Sequence, residues 1–142
     1  MNLTKKLAAV ALLASTLIIN GCGEGQIGHV DVEKVMTEAP RVKTLMEEAQ
    51  GKVTAEQQKF EQDNAGKELT DEEAVKIQMD FQRKLEGINQ AYAAQIKSRM
   101  DVVIEEISRE KNIDVVISNS ESQKILYQGG VDITQDVINK MQ

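Results

Sequence analysis

The chain has 142 residues, with 17 Lys and Arg against 23 Asp and Glu, one Cys, one His, one Pro and no Trp. Its net charge of −6 disfavours nucleic acid as a partner, and a single cysteine excludes an intrachain disulfide. This length, so poor in large aromatic side chains, builds one domain with a modest core.

In chain order, the first predicted element is a leader. Lys5-Lys6 precede an apolar run from Leu7 to Ile19, and Asn20-Gly21-Cys22 follow it. A charged start, a short apolar stretch and small residues at a cut site describe a secretory signal peptide over residues 1–21, too short for a membrane span. Ile19-Asn20-Gly21-Cys22 resembles a bacterial lipobox, with cleavage between Gly21 and Cys22 and acylation of the cysteine. The alternative is an ordinary leader followed by an unpaired exported thiol, which needs a separate reason. Removing residues 1–21 takes away Lys5 and Lys6, leaving 15 basic side chains against 23 acidic ones, a net charge of −8. Gly23 after the cysteine is not the Asp that commonly retains lipoproteins at the inner membrane. The expected location is therefore the periplasmic side of the cell envelope, on the outer membrane in preference to the inner.

Residues 22–26 read as a short polar linker. Ile27 to Val32 alternates as a strand. From Val32 or Glu33 a helical pattern follows, with Val35, Ala39, Val42, Met46, Ala49 and Val53 stepping by four and three, the spacing of a coiled-coil seam. Pro40 predicts a kink or a fresh helix start. The pattern ends at Asp63-Asn64-Ala65-Gly66-Lys67, a turn signal. Thr70-Asp71-Glu72-Glu73 is a capping box opening a second long helix to about Lys111. Its seam is Ala74, Ile77, Phe81, Leu85, Ile88, Tyr92, Ile96, Met100, Val103 and Ile107. A short turn between two long helices implies an antiparallel hairpin, with Phe60 beside Ala74, Val53 beside Phe81, Met46 beside Ile88 and Val42 beside Tyr92.

Beyond the hairpin the pattern changes. Ile113 to Ser118 is β-branched and predicts a strand, and Lys124 to Gln128 predicts another, broken by Gly129-Gly130. Asp132 and Thr134 are candidate N-caps for a last short helix through Val137, Ile138 and Met141. The fold class is α+β, mostly α, with a long helical hairpin inserted in a small β/α body. So few short strands bury too little to stand alone, and oligomerisation is the expected remedy.

Three segments carry a family resemblance: Ile27-Gly28-His29-Val30-Asp31-Val32, Lys111-Asn112-Ile113-Asp114-Val115-Val116-Ile117, and Tyr127 with Val131-Asp132-Ile133-Thr134-Gln135-Asp136-Val137. In this order around a helical hairpin, they resemble the Skp (OmpH) family of periplasmic chaperones for outer-membrane proteins. The resemblance covers residues 27–142, with an arm over about 40–111 and a body from 27–39 and 112–142. It implies a jellyfish-like homotrimer whose body is built from the chain ends and whose three arms enclose an unfolded client. It also implies holdase activity without ATP.

The chain departs from that family in three ways. It carries a lipobox, so the membrane becomes a partner through an N-terminal lipid. The first arm helix is short, roughly 35 Å at 1.5 Å per residue. Known members have basic arm tips suited to lipopolysaccharide, whereas residues 59–73 here hold Lys59 and Lys67 against six acidic side chains, a net −4. That balance argues against lipopolysaccharide at the tips.

Methionine repacks around varied shapes, so Met36, Met46, Met79 and Met100 are candidate client contacts. Met46 and Met100 fall on the predicted seams and are expected in the core, which leaves Met36 and Met79. Gly51 and Gly87 lie within a helical turn of one height and are candidate arm hinges or tolerated surface glycines. No catalytic residue, cofactor or metal site is expected. His29 is the only histidine and has no cysteine near it in a strand where a structural role suffices, and no phosphate-cradling glycine motif is present. Two functions remain: a holdase for unfolded outer-membrane proteins, and a trimeric coiled-coil scaffold or spacer lipoprotein that holds no client.

Overall fold

The computed structural model describes residues 25–126 and 128–142, so the leader over 1–21, the Gly21–Cys22 cleavage point, Cys22 itself and Tyr127 lie outside the described residues. The elements are β1 (Ile27–Val30), α1 (Val32–Glu38), α2 (Pro40–Asn64), α3 (Asp71–Lys111), β2 (Val115–Ser118), β3 (Val131–Asp132) and α4 (Thr134–Lys140). The fold is α+β and mostly α, with one small sheet.

Local chemistry sets most of these boundaries. Asp31 ends β1 by capping α1, its carboxylate accepting from the Lys34 amide at 3.0 Å. Ala39 is held extended before proline, and Pro40 takes the first position of α2, so the chain restarts a helix here. At the start of α3 the capping box is complete. The Thr70 hydroxyl accepts from the Glu73 amide, and the Glu73 carboxylate accepts from the Thr70 amide at 3.0 Å. Hydrogen bonds from the Thr70 backbone and hydroxyl hold the Glu73 carboxyl below the usual carboxylate range. Asn112, in the left-handed region at φ 55°, stops α3 after 41 residues.

The sheet is parallel throughout, in the order β2-β1-β3, with Ile27 opposite Val115 and Gly28 opposite both Val116 and Val131. Gly28 is a close-approach position: a Cβ there would meet the Ile113 side chain at 3.0 Å. Among the described residues of the predicted strand over Lys124–Gln128, none is in a strand. The Asn119 side chain accepts from the amides of Ile125 and Leu126 at 2.8 Å each, which satisfies those two donors without a ladder. The free edge of β1 is taken instead by Val131–Asp132, after Gly129 and Gly130 at φ 81° and 79°. At Gly130 a Cβ would lie 3.1 Å from the Ile27 carbonyl oxygen, so glycine's freedom brings the chain to this edge.

Of the two predicted caps for α4, neither is the N-cap residue, which is Ile133. Both still contribute. Asp132 Oδ1 accepts from the Thr134 amide at 2.9 Å, and the Thr134 hydroxyl accepts from the Asp31 amide at 2.9 Å, tying α4 to the start of α1.

Packing divides the molecule in two. Among the described residues, every buried apolar side chain lies in 30–45 or 92–141, from Val30, Val35, Ala39, Val42 and Leu45 to Tyr92, Ile96, Val103, Ile107, Ile113, Ile133, Val137, Ile138 and Met141. Between residues 46 and 91 nothing is fully buried. There α2 and α3 meet through the half-buried Phe60 and Phe81, stacked at 4.1 Å between ring centroids, and through exposed lysines: Lys84 pairs with Glu56 at 3.5 Å, and at the lower boundary the Lys52 ammonium lies 5.5 Å from the ring centre of the buried Tyr92. The facing residues correct the expected register. Phe60 meets Phe81, one heptad beyond Ala74, and Ala74 is exposed. The observed register adds aromatic stacking to the burial of the seam. Met46 is likewise 46% exposed, while its neighbour Leu45 is buried.

Candidate functional site

The candidate surface lies along the segment between residues 46 and 91, where helices without a buried core carry apolar side chains in solvent. On the first turns of α3, Val75 and Met79 are 59% and 48% exposed. They are one turn apart and therefore share a face. With Asp71, Lys76, Asp80 and Arg83 they line an open, mainly apolar groove. Arg83 pairs with Asp80 at 3.3 Å, an exposed contact on one helix that contributes little to stability. An apolar floor with mixed charge along its rim suits a surface that holds extended chains weakly and without a sequence code.

A second groove runs along α3 between Gly87 and Gln95, lined from α2 by Lys52 and Glu56 and from α3 by Lys84, Ile88 and Tyr92. Gly87 therefore sits beside Lys52, the neighbour of Gly51. Both glycines are inside helices, and a Cβ at either would meet no atom within 4 Å. Their tolerance of a side chain makes them good test positions. Gly51→Ala and Gly87→Ala should each stabilise the local helix by about 1 kcal/mol. Hydrogen exchange of adjacent arm amides should slow about fivefold per substitution, the factor that energy implies. A hinge role predicts that the double variant also loses client protection; unchanged protection would assign both glycines to tolerated surface.

The sequence-predicted positions separate clearly. Met79 stands in the first groove. Met36 is half-buried against the body core, as is Met100. Met36 therefore packs the body, and Met46 joins Met79 among the exposed methionines. Val75 had not been singled out, although an apolar residue off the seam and four before Met79 was the signal that marks it. Leu69, 37% exposed in the connector between α2 and α3, belongs to the same end of the molecule.

His29 sits in the central strand, its Nδ1 3.9 Å from Asp132 Oδ1. Partial burial raises the Asp132 pKa, but hydrogen bonds from Thr134, with charge from His29 and Lys34, outweigh it and leave the carboxyl below its ordinary range. Among the described residues no group of three or more His, Cys, Asp and Glu side chains is placed to hold a metal ion, and no helix is long and apolar enough to cross a membrane. No family model and no curated protein matches the chain.

Proposed function

We propose that this protein is a lipid-anchored, ATP-independent holdase of the Skp (OmpH) type, which keeps unfolded outer-membrane proteins from aggregating on the periplasmic side of the envelope. In this reading α2 and α3 form an antiparallel hairpin arm, and the body assembles as a homotrimer whose three arms surround the client. The observation that carries it is the division of burial: among the described residues every buried apolar side chain lies in 30–45 or 92–141, and the helical segment between them holds none while exposing Met46, Val75 and Met79. A helical pair of that length serves a surface more readily than a core. An unfolded barrel strand offers alternating apolar side chains and unpaired backbone, which many weak contacts along mobile walls shield from its own kind.

The test is direct. Mature protein should sediment as a trimer and suppress aggregation of a urea-diluted outer-membrane barrel at about one trimer per client, without nucleotide. The exposed Ile27 and Val115, at 45% and 54%, favour a self-associating sheet face. A stable monomer in dilute solution would overturn the trimer. Failure to delay aggregation of any barrel precursor would make the scaffold lipoprotein the better reading.

Anchoring has its own measurement. Cys22→Ser should abolish fatty-acid labelling and leave uncleaved or unlipidated precursor. Normal labelling of that variant would remove the lipid anchor from the proposal.

A further inference from the structure

We propose that the membrane carrying this protein lies beside the C-terminal end of α3, and that the arm projects away from that membrane into the periplasm. The inference rests on the acylation of Cys22 proposed above, and its fixed point is Gln26.

Gln26 is pinned where α3 ends. Its amide donates to Asp114 Oδ2 at 2.8 Å, and its carbonyl accepts from the Asp114 amide at 2.9 Å. With its side-chain amide nitrogen turned toward the helix, it donates to the Lys111 carbonyl at 2.8 Å. Four peptide units separate Cys22 from Gln26, so a lipid on Cys22 is tethered within about 14 Å of this point along any path. The interface of the bilayer is held equally close. By contrast, α3 has 41 residues, so its first turn stands about 60 Å from Lys111 along the helix axis.

An arm aimed at the bilayer would have to pass through it. Its exposed Asp71, Glu72, Lys76, Asp80 and Arg83 would enter hydrocarbon, where each charge is costly. The arm must therefore lie along the membrane or stand off it. Charge selects between these. Residues 59–73 carry a net −4. Every charged side chain in that stretch is exposed. A leaflet with anionic headgroups repels such a tip, whose two lysines among six acidic side chains form no basic patch to dock there. The end of the arm bearing Val75 and Met79 accordingly works at a distance from the membrane that bears it, and meets chains crossing the periplasm instead of lipid of its own leaflet.

The test uses the full lipoprotein, reconstituted in vesicles containing anionic phospholipid. A donor dye is attached through a ketone-bearing residue placed at Lys67 or at Arg109, and an acceptor is carried on lipid headgroups. Strong energy transfer is expected from position 109, with near-complete loss from position 67. Comparable transfer from both would show an arm lying on the bilayer and would overturn the inference. Flotation with the vesicles reports the anchor separately. If the chain does not float, acylation has failed, and the mature chain coupled through its Cys22 thiol to a maleimide lipid carries the same two dyes. Loss of transfer at position 67 in that tethered chain supports the orientation set by Gln26, and comparable transfer still overturns it.

Discussion

Replacing residues 57–83 with a short glycine-rich turn should leave a folded, trimeric body that no longer protects an unfolded barrel from aggregation. Glu56 and Lys84 face one another at 3.5 Å, so a short turn closes the gap without disturbing the register below it. The deletion removes the Phe60–Phe81 stack, Val75 and Met79, but no side chain that is fully buried. The urea midpoint should therefore change little, while the denaturant slope falls with the surface removed. Protection should fall to the level of a buffer control. Survival of full protection in a trimeric truncated protein would move the client surface to the body and take the arm out of the mechanism.

The largest expected loss of stability lies at Ile107. Its side chain is 1% exposed, on the part of α3 that packs into the core with Val103, Ile133, Val137 and Met141. Ile107→Ala removes buried methyl groups and leaves a cavity, which costs about 2–5 kcal/mol. Domains of this size have about 5–15 kcal/mol in total, so this one change should shift the urea midpoint far enough to populate unfolded chain under mild conditions. Val102→Ala, five residues earlier and 44% exposed, should cost under about 1 kcal/mol. Equal losses at the two positions would contradict the assignment of Ile107 to the inward face and Val102 to the outward face of this end of α3.

Much of the helical architecture was legible because its signals are local. The capping box at Thr70–Glu73, the restart at Pro40 and the stop at Asn112 each need only neighbouring residues, and the α3 seam from Ile77 to Ile107 turns inward throughout, with Ala74 alone left outside. The candidate surface was legible only in part. Met79 and Val75 both stand off the seam, four residues apart, and so carry a signal in the sequence, whereas Met36 needed the body core against which it packs.

Sequence by itself determined where helices begin and end, which face of α3 turns inward, and that strands lie on both sides of a long helical insertion, because caps, proline and periodicity act within a few residues. Tertiary structure alone decided the register at which α2 meets α3, since Ala74 and Phe81 both lie on the apolar seam one heptad apart and the placement of Phe60 on Phe81 distinguishes them. It also decided between the adjacent apolar residues Leu45 and Met46, which the helical period ranks alike, by burying the first. The third strand was settled the same way. Lys124–Gln128 has the composition of a strand, but Asn119 takes the amides of Ile125 and Leu126, and two glycines in left-handed conformations deliver Val131 and Asp132 to the open edge of β1. Pairing across a sheet edge depends on which backbone reaches it first in space, and no pattern within either segment encodes that competition.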